Sequence, residues 1–232
     1  MFLQCGLHAH YKFIPSFNAC LMKRTLILLT LLAIAFTTNG QRKKNYFPLW
    51  TYHQRNINIH GVSLGIGSVR GEPRNTNTNG IKIELIGAGI AVPLIPQSPI
   101  ATNDSSFVSE MDVDVSERIN GLSISTSGTV CDCITNGITV GFLGQINLKV
   151  RGVSGAFFMN FTQSISGVHV AMITESYQSN GIQIGAINVG HRVNGLQIGV
   201  FNKSSTLKGI QIGLWNVNQK RKLPFINWNF KT

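Results

Sequence analysis

The sequence predicts an all-β chain whose short tandem repeats, each about 14 to 16 residues long, stack into a β-solenoid with aromatic end caps. Three observations lead there. The octapeptides Gly-Ile-Gln-Ile-Gly-Ala-Ile-Asn, Gly-Leu-Gln-Ile-Gly-Val-Phe-Asn and Gly-Ile-Gln-Ile-Gly-Leu-Trp-Asn open at Gly181, Gly195 and Gly209, so the spacing between copies is constant up to Asn216. Within each, apolar and polar residues alternate, as in Leu196, Gln197 and Ile198, which is the period of a strand with one buried face. Charged residues are only 12% of the chain, so Asn, Gln, Ser, Thr and Gly do most of the solvation, a bias towards sheet and turn.

Weaker copies run back from Gly181 to Gly167, Gly152, Gly137 and Gly121 with nearly the same spacing, and similar openings stand at Gly80 and Gly61. Nine units is the outer estimate. So short a unit cannot bury its apolar face alone, and neighbours must stack to make a core. In a solenoid, equivalent residues lie about 4.8 Å apart, so Gln183, Gln197 and Gln211 form one amide ladder and Asn188, Asn202 and Asn216 another. The ordinary rule places the glutamines in solvent and turns Leu196, Ile198 and their equivalents to the core; Leu207 and Val193 add a second apolar strip.

The alternative architecture is a small antiparallel outer-membrane β-barrel, for which the closing aromatic run Leu223 to Phe230 would be typical. A barrel reverses direction at every strand, so long and short turns should alternate, and here they do not. Its outward apolar stripe would also be short of an apolar band of about 25 Å.

The chain divides into four parts. Residues 1–40 hold an upstream extension and a signal peptide: Met22-Lys23-Arg24 precedes an apolar run from Thr25 to Phe36, too short to span a bilayer, and small or polar residues follow up to Gln41. Met22 is the expected start of translation. Residues 41–120 form an N-terminal cap with Tyr46, Phe47, Trp50 and Tyr52, then the first repeats and an insertion loop. The insertion, from Pro93 to Asn120, holds five of the nine acids and is expected to carry a short helix near Phe107 to Met111. Gly87-Ala88-Gly89 before it reads as a strand kink or bulge. Residues 121–216 are the tandem repeats, and residues 217–232 a C-terminal cap in which Phe225, Trp228 and Phe230 form a lid.

The formal net charge is +11, and removal of residues 1–40 takes three of twenty basic residues and none of nine acids, which leaves +8. Basic residues cluster at Arg42-Lys43-Lys44 and Lys220-Arg221-Lys222, readable as solvated ends or as attraction to anionic lipid or glycan. No basic stripe is interleaved with aromatics, which argues against nucleic acid as a partner. Of four cysteines only Cys131 and Cys133 follow the signal; they would share a strand face as two small core residues, a disulfide or, least, a metal site.

No residues converge into a catalytic set. A hydrolase needs two carboxylates facing a groove, and between Gly137 and Asn216 the only acid is Glu175, with His169 and His191 isolated. Gly-[Leu/Ile]-Gln-Ile-Gly-x-x-Asn in tandem, closing with Lys208 to Asn218 and Leu223 to Phe230, resembles a group of exported bacterial surface-repeat proteins found in the Bacteroidota and in spirochaetes. The resemblance is close towards the C-terminal end and looser back to Gly121. It implies export and a location in the periplasm, outer membrane or cell surface of a Gram-negative bacterium, and carries over no catalytic residue. The expected function is therefore non-enzymatic, without cofactor or metal: a secreted or envelope-associated structural or binding protein whose partner is an envelope glycan, a lipid headgroup or another protein.

Overall fold

A computed structural model describes Ile27 and residues 43–231. The signal-peptide expectation, Ile27 apart, lies outside the described residues, as do Cys5 and Cys20. Lys43–Thr232 forms a compact unit by itself. Its strands are β1 (Lys44–Tyr46), β2 (Leu49–Thr51), β3 (Ile57–Gly65), β4 (Thr76–Glu84), β5 (Glu117–Ser125), β6 (Val130–Gly141), β7 (Gly144–Ala156), β8 (Met159–Val170), β9 (Ile173–Ile184), β10 (Ile187–Ile198), β11 (Phe201–Val217) and β12 (Lys222–Asn229).

From β3 to β11 each strand pairs in parallel with the next in sequence. A strand that returns parallel to its predecessor after so few residues must have coiled once round, so the fold is a β-solenoid and the antiparallel barrel is excluded. Only β12 runs antiparallel, and it closes the stack on β11.

The register shows why each unit begins with glycine. Gly61, Gly80, Gly121, Gly137, Gly152, Gly167, Gly181, Gly195 and Gly209 lie directly over one another, so the repeat continues across the insertion from its earliest opening. All nine have φ between +124° and +151°. A Cβ at any of them would lie 1.8 to 2.2 Å from a carbonyl oxygen of the rung before. Only glycine fits such a column. In the first rung, formed by β1 and β2, Pro48 takes this corner: its carbonyl lies against Gly61 and accepts from Val62 N at 2.8 Å.

Alternation carries through the corner, so the second residue before each glycine and the second after it both point into the lumen. The column before the glycine runs Ile59, Thr78, Ile119, Thr135, Val150, Ile165, Ser179, Val193 and Leu207, all buried. The Val193 and Leu207 strip is therefore core, as expected. By the same parity the expected orientation of the Gly-Leu-Gln-Ile segment is overturned. Gln197 is 0% exposed and Ile198 37%. Gln183 and Gln211 are buried likewise, whereas Ile184 and Ile212 face out.

The ladders exist, but inside. Gln211 Nε2 donates to Gln197 Oε1 at 2.7 Å, and Gln197 Nε2 to Gln183 Oε1 at 2.7 Å. Asn188 Nδ2 donates to Asn202 Oδ1, and Asn202 Nδ2 to Asn216 Oδ1, each at 2.7 Å. A buried amide is tolerated when its hydrogen bonds are made, and identical amides one rung apart make them for each other. The expected cost of truncation reverses accordingly. Gln197→Ala should lose about 2 to 3 kcal/mol, because it leaves a hole and strips partners from Gln183 and Gln211, whereas Ile198→Ala should lose under about 1 kcal/mol. Equal losses in denaturant titrations would refute this orientation.

Between β4 and β5 the insertion folds back along the stack. Gly87-Ala88-Gly89 leads into a 3₁₀ helix, Ala88–Leu94, rather than a strand kink. Gly89 N donates to Gly128 O at 2.7 Å, and a Cβ there would lie 2.2 Å from Gly144 O, so the glycine is needed for this close approach. The expected short helix is α1 (Asp104–Met111), capped by Asn103 Oδ1 accepting from Ser106 N at 2.8 Å. Val92, Ile100 and Ala101 from the insertion pack on Ile146, Phe161 and Tyr177 of β7 to β9. Gln163 holds it there: its Oε1 accepts from Ala101 N at 3.1 Å and its Nε2 donates to Pro99 O at 2.9 Å.

The N-terminal end is covered by aromatics in part, and the C-terminal end is not. At the N-terminal end Tyr52 is buried against Ile57 and Ile59, with Tyr46 packed on the cluster and stacked on Trp50 at 4.1 Å, while Phe47 is exposed. At the C-terminal end Phe225, Trp228 and Phe230 do not form a lid; all three are exposed. The cap is polar instead. Asn227 and Asn229 turn inward, and Asn229 Nδ2 donates to Leu207 O at 2.8 Å, because β12 keeps the parity of the rung it covers.

Candidate functional site

The same parity that draws amides inward puts two apolar columns outside. The residues directly after the corner glycines are Val62, Ile81, Leu122, Ile138, Val153, Val168, Ile182, Leu196 and Ile210. Two positions further on stand Leu64, Ile83, Ile124, Val140, Gly155, Val170, Ile184, Ile198 and Ile212. Every member of the first column is apolar, and every member of the second except Gly155 carries an apolar side chain. None is fully buried. Eight rung spacings of about 4.8 Å make the face about 38 Å long.

The β12 rung extends it, since Trp228 lies beside Ile210 and Ile226 beside Ile212. Along one edge stand Phe142, Phe157, Phe158, Met172 and Val200 from the turns and Leu214 and Trp215 from β11, all exposed. Phe142 and Phe157 stack at 5.9 Å, and Phe158 meets Phe157 edge-on at 4.8 Å. Near the C-terminal end the surface hollows into an open apolar groove of about 670 Å³ lined by Ile184, Ile198, Val200, Ile212, Phe225 and Ile226. At about 38 Å by about 13 Å, from the stacked rungs and the width of the strand segment, the face covers about 500 Å². That is towards the upper end of the largest apolar patch on a typical monomer, about 300 to 600 Å², and such patches are often functional.

The opposite flank of the glycine corner is polar. Asn136 Nδ2 donates to Asn120 Oδ1 at 2.8 Å and Asn120 Nδ2 to Asn79 Oδ1 at 2.7 Å, an exposed amide ladder the sequence reading missed. Arg151 and Lys208 continue the same column.

The lumen of the first coils holds charges that the sequence reading also missed. Lys82 Nζ lies 2.6 Å from Glu117 Oε2 and 2.7 Å from Ser68 Oγ, and Arg74 Nη2 lies 3.0 Å from Glu117 Oε1. Glu84 accepts from Ser68 N and, at 2.5 Å, from Thr129 Oγ1, while Lys82 sits 4.3 Å above the Tyr52 ring. Lys82, Glu84, Glu117 and Arg74 are all buried. The signal was present in Ile81-Lys82-Ile83-Glu84, which places both charges on the parity of the glutamines. Two cations and two anions balance.

Cys131 and Cys133 form a disulfide, buried beside Ile119. Between them Asp132 accepts from Arg70 Nε and from Gly71 N, both at 2.8 Å, and Arg70 also pairs with Glu110 of α1. The bridge thus lies where the insertion is tied to the stack.

The titratable residues of the repeats do not converge. His169 is fully buried in the lumen, in the column of the glutamines, whereas His191 stacks on Tyr177 outside at 5.1 Å. Burial raises the pKa of Glu175 and, aided by Lys203, lowers that of His191. Among the described residues no group of three His, Cys, Asp or Glu side chains could hold a metal ion.

His169 gives the fold a pH dependence. Burial lowers its pKa from 6.5 to about 3, so the unfolded chain takes up a proton below pH 6.5 that the folded chain refuses. Its contribution to stability is complete above 6.5 and falls towards 3, by about 1.4 kcal/mol per pH unit. His169→Gln extends the Gln183 ladder by one rung and should remove that slope between pH 6 and 5 in urea titrations. An unchanged slope would show that His169 takes up its proton in the folded state.

Comparison with known proteins yields no match among family models, curated proteins or solved structures.

Proposed function

We propose that this chain is a non-enzymatic, exported envelope protein that works by contact through its outward apolar face. The observation that carries this is the face itself: two apolar columns over nine rungs, half-exposed or exposed, while the polar residues that alternate with them turn into the lumen. Burying a large apolar side chain contributes about 1.5 to 3 kcal/mol, so leaving a whole column outside sacrifices stability that a partner can recover. The resemblance of the repeat to exported bacterial surface-repeat proteins supports the location. The Gln183, Gln197 and Gln211 ladder and the Asn188, Asn202 and Asn216 ladder are inside, so a glycan partner would have to be met by the exposed column of Asn79, Asn120 and Asn136 instead.

The test is co-sedimentation of residues 43–232 with isolated Gram-negative envelopes. The native unit should pellet, and the variant carrying Ile184→Thr, Ile198→Thr and Ile212→Thr, which keeps β-branched side chains at each site, should stay in solution with its melting transition intact. Equal pelleting of the two would remove the face as the contact surface.

A further inference from the structure

Resting on that proposal, we infer that the occupant of the outward face is an anionic lipid bilayer surface, on which the solenoid lies side-on with its corner glycines near the headgroups. Three features of the face select lipid over a folded partner.

The first is the absence of any polar handle. The side chains of both columns contain no donor or acceptor, and the backbone groups of β3 to β11 are committed to the rung-to-rung ladder. Specific protein interfaces carry about one hydrogen bond per 100 to 200 Å², which fixes the register of one surface on another. This face can fix no register. A hydrocarbon boundary requires none.

The second is the aromatic edge. Trp215, Phe157 and Phe158 stand exposed along the edge of the apolar face away from the corner glycines, and Trp228 is exposed at its C-terminal end beside Ile210. Tryptophan places its ring among acyl chains and its N–H among headgroups, and is enriched at that depth.

The third is the distribution of charge. Arg151 and Lys208 immediately precede corner glycines, and Lys220-Arg221-Lys222 forms the turn into β12, where the Arg221 guanidinium lies 4.7 Å over the Trp228 ring. From the residue before each corner glycine to the third residue after it, no rung carries an acid; the exposed acids Glu72, Asp104, Asp112 and Asp114 lie in the loop before β4 and in the insertion. Long basic side chains at the border of an apolar face extend to anionic headgroups, as on membrane-surface helices. A second copy of the chain would bring the same basic border and no acid to meet it.

The experiment is flotation of residues 43–232 with vesicles of phosphatidylglycerol and phosphatidylethanolamine, against vesicles of phosphatidylcholine alone. The expected result is flotation with the anionic vesicles, weakened by salt, and at least tenfold weaker for the Ile184→Thr, Ile198→Thr, Ile212→Thr variant. Arg151→Gln with Lys208→Gln, both exposed, should weaken binding several-fold to anionic vesicles only. Quenching by acyl chains brominated near the headgroup needs no variant, and should reach Trp215 and Trp228 in the native unit. No flotation and no quenching would overturn the inference, as would a dimer in plain buffer that the triple variant dissociates. Envelope co-sedimentation that persists while vesicles are ignored would overturn lipid as the occupant and leave the contact face standing. Loss of both would sink both.

Discussion

Gly195→Ala is expected to destabilise the unit by about 3 to 5 kcal/mol, more than removal of most core side chains from a chain this size. Two effects add. Gly195 has φ +141°, a conformation that side chains rarely adopt, and its new Cβ would lie 2.0 Å from the carbonyl oxygen of Gly181. Neither atom can yield, because Gly181 and Gly209 are held in register on either side. Moving Gly195 away lengthens ladder hydrogen bonds on both faces of its rung. Gly155→Ala is the control: no atom lies within 4 Å of its Cβ position and its φ is ordinary, so the change should fall within about 0.5 kcal/mol of neutral. Comparable midpoints for the two variants in guanidinium titrations would mean that the glycine column is not what fixes the coil.

Glu117→Ala should cost about as much, about 3 to 5 kcal/mol, for an electrostatic reason. Glu117 is the shared partner of Lys82 and Arg74, at 2.6 and 3.0 Å, and all three are buried. Removing it leaves two cations in the lumen with Glu84 as the remaining anion of the cluster. Replacing Lys82 by Met as well removes one of those cations, so Lys82→Met with Glu117→Ala should be less destabilised than the sum of the single changes by about 1 to 3 kcal/mol. Strict additivity in a double-mutant cycle would show that the cluster is not coupled.

Much of the architecture was legible because the repeat is a direct image of it. Nine glycine openings in the sequence are nine corner glycines in register, and the distance from one opening to the next along the chain is one coil wherever no insertion intervenes. The capped helix α1 was equally local, since Asn103 and Ser106 supply its cap from neighbouring positions. The disulfide was open among alternatives, because residue spacing does not report whether two thiols on one strand are joined. The ion cluster was not found, because Arg74, Lys82, Glu84 and Glu117 meet only after the chain has travelled through the insertion and come back one rung higher.

By itself the sequence determined the stacking, its period and the residues that share a face, all of which follow from chain geometry and repeat identity. Only the tertiary structure decided which face is inside. Alternation separates Gln197 from Leu196 and Ile198 but assigns neither to the lumen, and the usual rule that apolar residues go inside points the wrong way. The corner glycine settles it: at φ near +140° it keeps Gln197 on the same side as Val193, and Val193 is core. Identical amides one rung apart then satisfy each other inside the lumen, and the isoleucines that alternate with them are left facing out.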